Sequence, residues 1–258
     1  MRAGASASRT RSGTGGAAAL AVAAAMLLGA GAAGARPTAT MHAAFAPKRL
    51  GALGSVTVAF TLTDPEAQGQ VPPPLRTLTV HLPPEVGVEM RGVPACRPSA
   101  LRRRGAAGCS KRSIVGSGHA TVEVHAGSQT IPEASRLTAF RGPTTGGRPT
   151  LEILGVGKTP LEQRSVSQAV LRPDAAPSGS QLVISIPRIP TVALEPDASF
   201  LSMSLTIGAE GGFGPLRAGI RVPHRCAGGG FAFAADLQFA DGSRASVATN
   251  APCPNGKR

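Results

Sequence analysis

Gly155-Val156-Gly157-Lys158-Thr159 has the ending of a phosphate-binding P-loop, where backbone N–H groups cradle phosphate and a lysine reaches its outer oxygens. The full pattern needs a glycine five residues before Gly157, where Glu152 stands, and Pro160 disturbs the helix that must begin there. The segment reads as a strand-end loop. His119, Thr121, Glu123 and His125 share one side of a strand, and His and Glu together are metal-ligand chemistry. At roughly 3.4 Å per residue, His119 and Glu123 lie about 13 Å apart and Glu123 and His125 about 7 Å apart. One flat strand does not converge on an ion without a contributor such as His81 from a neighbour, so the face is expected to be solvated and no metal is expected. Gly116-Ser117-Gly118-His119 lacks the spacing and turn of a nucleophile elbow. Glu195 and Asp197 are the nearest approach to a carboxylate pair, but glycosidase pairs come from separate elements that one sequence does not match up. No catalytic residue and no cofactor is expected from these segments.

The most distinctive polar feature is basic. Between Glu89 and Glu123 there is no acid, while Arg91, Arg97, Arg102, Arg103, Arg104, Lys111 and Arg112 all fall there. Arg97, Arg102, Arg103, Arg104, Lys111 and Arg112 form a candidate anion-binding knob, because the planar guanidinium fork donates two hydrogen bonds to a phosphate. The expected partners are an anionic cell-wall polymer or a lipid surface. The alternative is a solvated arginine cluster fed by codon bias, since Arg supplies all but four of the 27 cations and the chain is rich in Gly, Ala and Pro. Trp and Tyr are absent, so there is no aromatic platform for stacking on sugars or single-stranded nucleic acid, and no specific nucleic-acid partner is expected.

These side chains must be carried by strands. Val56, Val58, Phe60 and Leu62 alternate with polar or small residues, as do Leu78, Val80 and Leu82, then Ala120, Val122 and Val124, then Leu182, Ile184 and Ile186, then Leu201, Met203, Leu205 and Ile207. Weaker runs cover 38–45, 137–140, 151–154 and 165–171. Ten or more strands broken by Gly and Pro indicate an all-β fold, an antiparallel sandwich of Ig-like or jelly-roll-like kind. With 33 Gly and 23 Pro, a helix has room at one place, Pro98 to Arg104, opened by Pro98 and stopped by Gly105. Phe231 to Phe239 and Ala245 to Thr249 form a hairpin about Asp241-Gly242, with Ala240 expected opposite Ser243.

Arg2, Arg9 and Arg11 precede an apolar centre at 17–28 and small residues ending at Ala35, the order of a signal peptide over 1–35. An uncleaved N-terminal anchor is the rival. Loss of those three arginines takes the formal charge from +13 to +10 and leaves 36–258 as a single β-sandwich domain, with 142–149 the place where it would divide in two. Four cysteines in an exported chain imply disulfides, expected as the sequence-local pairs Cys96 with Cys109 and Cys226 with Cys253; no pair has zinc-knuckle spacing.

The segments 109–118, 186–190 and 239–243 through Cys253-Pro254 together resemble a group of uncharacterised exported β-rich proteins of actinobacteria. The resemblance implies export and β structure, and no catalytic or binding residue comes with it. The expected function is that of an exported, non-enzymatic protein that binds or structures the cell envelope. The alternative is a secreted hydrolase whose acids and histidines converge only in the fold.

Overall fold

A computed structural model describes residues 37–126, 129–158, 162–191, 197–208, 219–226 and 228–254. The leader expected at 1–35, Glu195, Thr159 and Pro160 lie outside the described residues.

The regular structure of the described residues is almost all strand. Its elements are β1 (Thr38–Ala46), β2 (Leu53–Thr63), β3 (Leu75–Leu82), β4 (Gly87–Glu89), helix α1 (Pro98–Arg104), β5 (Ile114–Ala126), β6 (Gln129–Arg141), β7 (Thr150–Gly157), β8 (Gln163–Pro173), β9 (Ser180–Ser185), β10 (Ser199–Gly208), β11 (Gly219–Arg221), β12 (Phe231–Phe239) and β13 (Arg244–Ala251). All pairings among them are antiparallel, in the order β13-β12-β3-β9-β8-β7-β6-β5-β10-β2, with β1 and β11 also paired to β2, and β4 beyond β11. The antiparallel all-β architecture expected from the alternation is present as one continuous sheet curled about the main core. β1 comes to lie beside β13, and Phe45 of β1 meets Phe231 of β12 edge to face with ring centroids 5.2 Å apart. Bringing the two ends together shields both edge strands from pairing with other chains.

The alternating residues fill that core. Val56, Phe60 and Leu62 of β2, Leu78, Val80 and Leu82 of β3 and Ala120, Val122 and Val124 of β5 are buried together. Two expectations of register are corrected. In β10 the core residue at the start of the strand is Phe200 and not Leu201, because the pairing with β5 skips Leu201. That β-bulge lets Phe200 and Met203, three residues apart, both turn inward. In the last hairpin Gln238 pairs with Arg244 and the Phe239 N–H donates to the Ser243 carbonyl at 3.0 Å, so the connection has three residues rather than the two expected. Gly242 stands at φ 86°, and its N–H donates to the Phe239 carbonyl at 3.2 Å, while Asp241 Oδ1 accepts from the Ser243 N–H at 2.9 Å. A left-handed glycine closing a three-residue loop is the G1-bulge solution to a hairpin.

Both disulfides join the expected cysteines, with Cα–Cα separations of 5.6 Å for Cys96–Cys109 and 5.8 Å for Cys226–Cys253. The first ring encloses α1, which starts at Pro98 and stops at Gly105, a residue at φ 57° that suits glycine. Leu101 turns inward with Cys96, Phe140, Leu154 and Val166 to make a second, smaller core on the outer face of β6, β7 and β8. Burying one leucine in this way stabilises by roughly 1.5–3 kcal/mol. The Cys96 N–H donates to the Arg141 carbonyl at 2.7 Å and pins the ring to β6. With a core on each side, β7 is buried on both faces, which is why 151–154 carries apolar residues without strict alternation. Residues 142–149 are the loop of the β6–β7 hairpin, drawn together by the Thr145–Arg148 bridge.

Candidate functional site

The stapled segment stands on the sheet and leaves a groove beside it. The groove has a volume of about 510 Å³ and lies between the C-terminal end of α1 and the outward faces of β6, β7 and β8. Its apolar floor is Leu154 and Val156, and its charged walls are Arg104, Arg136, Lys158, Glu162 and Arg164. The sheet register sets their spacing: Arg136 of β6 pairs with Val156 of β7, and Val156 pairs with Arg164 of β8. Leu137 points to the main core, so Arg136 must point outward. Glu162 bonds Arg164 at 2.6 Å, and among the described residues no acid pairs with Arg104, Arg136 or Lys158. Arg104 donates to the Gly108 carbonyl at 3.4 Å, which holds its stem along the helix end. Gly105 packs against this wall, and a Cβ there would lie 3.4 Å from the Arg164 guanidinium, in ordinary van der Waals contact. The groove thus sets four cations against one carboxylate around a half-apolar trough.

Of the six cations singled out in the sequence, Arg104 lines this groove. Arg97, Arg102, Arg103, Lys111 and Arg112 are exposed on the stapled segment and the short turn that follows it. Beneath α1 lies Glu152, with 1% of its surface exposed, accepting from the Gln168 amide at 3.0 Å. Burial raises its pKa above the usual carboxylate range, against the hydrogen bond from Gln168 and the positive charge of Arg102. The sequence pointed to neither Arg136, Lys158 nor Arg164 as a set. Arg136 and Arg164 stand on separate strands and Lys158 just beyond β7, and only the register of two consecutive hairpins brings the three to one groove.

The other constellations resolve as follows. β7 runs through Gly157, and the Lys158 N–H donates to the Glu133 carboxylate, so 155–158 is a strand end. His119 is exposed on β5, opposite Arg136 in register, and no group of three metal-ligating side chains occurs among the described residues. Asp197 is buried and binds Arg76 and, at 3.0 Å, Arg188, so it ties 186–190 to β3. Among the described residues, His81 is the histidine that meets acids. Its Nδ1 lies 2.6 Å from Asp174 and its Nε2 3.0 Å from Asp236, which also accepts from the Ser246 hydroxyl at 2.6 Å. Burial lowers the His81 pKa, but the hydrogen bonds to the two aspartates outweigh it and the net shift is upward. The hydrogen bond from His81 holds Asp174 low, and that from Ser246 does the same for Asp236. With Val80 and Leu82 in the core, His81 faces outward, and both of its nitrogens are engaged by carboxylates. This is a clamp across β3, β12 and the β8–β9 loop, with no imidazole nitrogen left to serve a nucleophile.

No family model, curated protein or solved structure matches the chain. Two disulfides place the folded chain in an oxidising, extracytoplasmic setting, and among the described residues no helix is long and apolar enough to cross a membrane.

Proposed function

We propose that this is an exported, non-enzymatic binding protein that grips a phosphate-bearing linear polyanion of the cell envelope in the groove between α1 and β6–β8. The observation that carries this reading is the row Arg136–Val156–Arg164 with Arg104 and Lys158 at its margins: four cations and one acid around a 510 Å³ trough. Spacing favours a chain of repeating charges. Neighbouring strands lie about 4.8 Å apart, so Arg136 and Arg164 meet anionic groups about 10 Å apart on one polymer. Export by the leader at 1–35, followed by its removal, supplies the route to that polymer and belongs to the same proposal. Arg102, Arg103, Lys111 and Arg112 on the outer surface add a field that draws polyanions in without fixing them. The test is retention on immobilised linear polyphosphate, with serine substitutions in the groove set against serine substitutions on the exposed face of α1.

A further inference from the structure

The row that holds Arg164, Val156 and Arg136 does not end at the groove. Arg136 of β6 pairs with His119 of β5, His119 with Ser204 of β10, Ser204 with Ala59 of β2 and Ala59 with His42 of β1, so one line of register crosses the outer face of the sheet. Ala120 and Leu137 are buried in the main core and Met203 and Leu205 pack against it, so His119, Arg136 and Ser204 all face outward. Opposed residues on antiparallel strands stand about 5 Å apart at Cα, which sets the His119 imidazole beside the Arg136 guanidinium. Around them the face is paved with hydroxyls. Ser117 and Thr121 flank His119 on its own strand, and Thr206 of β10 shares a hydrogen bond of 2.7 Å with Thr57 of β2. The strands β5, β6 and β10 carry two acids, Glu123 and Glu133. Glu133 is buried and accepts from the Lys158 N–H, and Glu123 stands four residues along β5 from His119, about 13 Å away. His119 is exposed, and the groups that face it from β6 and β10 are Arg136 and the uncharged Ser204.

We propose that the bound polymer leaves the groove past Arg136 and crosses His119, which is a further contact whose protonation tightens binding in acid. This rests on the reading of the groove as a polyanion site. Imidazole is the side chain that gains its charge between pH 5 and 8. The Arg136 guanidinium repels that charge, and a phosphate lodged between the two groups stabilises it, so proton and polymer bind together and each strengthens the other. Ser204, next in the row, offers a hydroxyl to the following unit of the chain. The protein thus holds its polymer more firmly where the medium is acidic and less firmly as it turns alkaline.

The test is the affinity of the oxidised full chain for long linear polyphosphate at fixed ionic strength between about pH 5.5 and pH 8, a range in which the internal phosphates stay singly charged. The parent should bind roughly two- to fivefold more tightly at the acid end, the worth of one exposed ion pair. His119→Gln should be flat across the range at the parent's alkaline affinity, and His119→Lys flat at its acid affinity. Glu152→Gln, which removes the titrating group beneath α1, should keep the parent's response. Calorimetry in two buffers of different ionisation enthalpy should show proton uptake on binding by the parent at the middle of the range and none by His119→Gln. A pH response that survives in His119→Gln, or binding that needs the groove cations yet shows no pH response in the parent, would overturn this inference and leave the groove reading standing. Absence of salt-sensitive binding at every pH would remove the groove reading and this inference with it.

Discussion

Arg136 and Arg164 stand in one row across the sheet, on either side of Val156. Two guanidinium groups at about 10 Å in water repel by a few tenths of a kcal/mol, a cost that no packing requirement explains. Arg136→Gln is therefore expected to leave stability unchanged or raise it by a few tenths of a kcal/mol in low salt. The gain should vanish in about 1 M salt, where the screening length falls to about 3 Å. Urea denaturation at the two salt levels checks it, and a marked loss of stability would assign Arg136 a structural role.

Glu152 offers a test of the layer under α1. Because burial raises its pKa, the folded chain holds the proton more firmly than the unfolded chain, and stability falls as pH rises through the unfolded and then the folded value. Glu152→Gln keeps an acceptor for the Gln168 amide and removes the buried charge. The variant should be more stable than the parent at pH 8 by about 1 kcal/mol and nearly equal to it at pH 4. Melting temperature across that range reads the difference, and a variant weaker at both ends would contradict it.

His81, Asp174 and Asp236 set an opposite pH window. His81 has a raised folded pKa, so its contribution is complete below its ordinary value of 6.5 and is lost as pH rises through the folded value. Asp174 and Asp236 are held below the ordinary value of 3.8, so theirs is present above it and lost as pH falls through the folded values. The clamp is strongest between the two. His81→Asn should cost about 1–2 kcal/mol near pH 5.5 and much less above pH 9, because hydrogen bonds to charged partners are the stronger ones. A pH-independent loss would mean that the ring serves only as packing.

The staple at Cys96–Cys109 closes 13 residues around Leu101. Replacing both cysteines by serine should cost about 3 kcal/mol, and Leu101→Ala alone about 2–5 kcal/mol, by denaturant titration. Because Arg104 is carried on the same ring, both changes should also weaken polyanion retention, whereas breaking Cys226–Cys253 should leave retention intact.

The strands, the helix and both bridges were legible in the sequence because their signals are local: alternation at Val56 to Leu62, a Pro98 start with a Gly105 stop, cysteines flanking compact segments. What the sequence hid is two-body information. Leu201 continues the alternating pattern of its strand, and only the partner strand shows that it is bulged out. Asp241-Gly242 fits a two-residue turn as well as the last two positions of a three-residue one, and packing of Phe231 to Phe239 on β3 chooses the latter. The knob expected from Arg97 to Arg112 is one loop, while the groove uses one residue of that loop and three from β6, β8 and the residue after β7. Arg136, Lys158 and Arg164 are unremarkable singly.

The central claim is that the groove, and not the outer face of α1, fixes a polyanion. Its most direct measurement is the affinity for linear polyphosphate as a function of salt, for the parent chain, for a variant with Arg104, Arg136, Lys158 and Arg164 all changed to Ser, and for one with Arg102 and Arg103 changed to Ser. Four engaged cations predict a log–log salt slope of about −3, by the release of roughly 0.7 counterion per contact on a single-stranded polyanion. The slope should fall toward zero in the groove variant and stay near the parent's in the α1 variant. A parent slope near zero, or a groove variant that keeps the parent's slope while the α1 variant loses it, would contradict the claim.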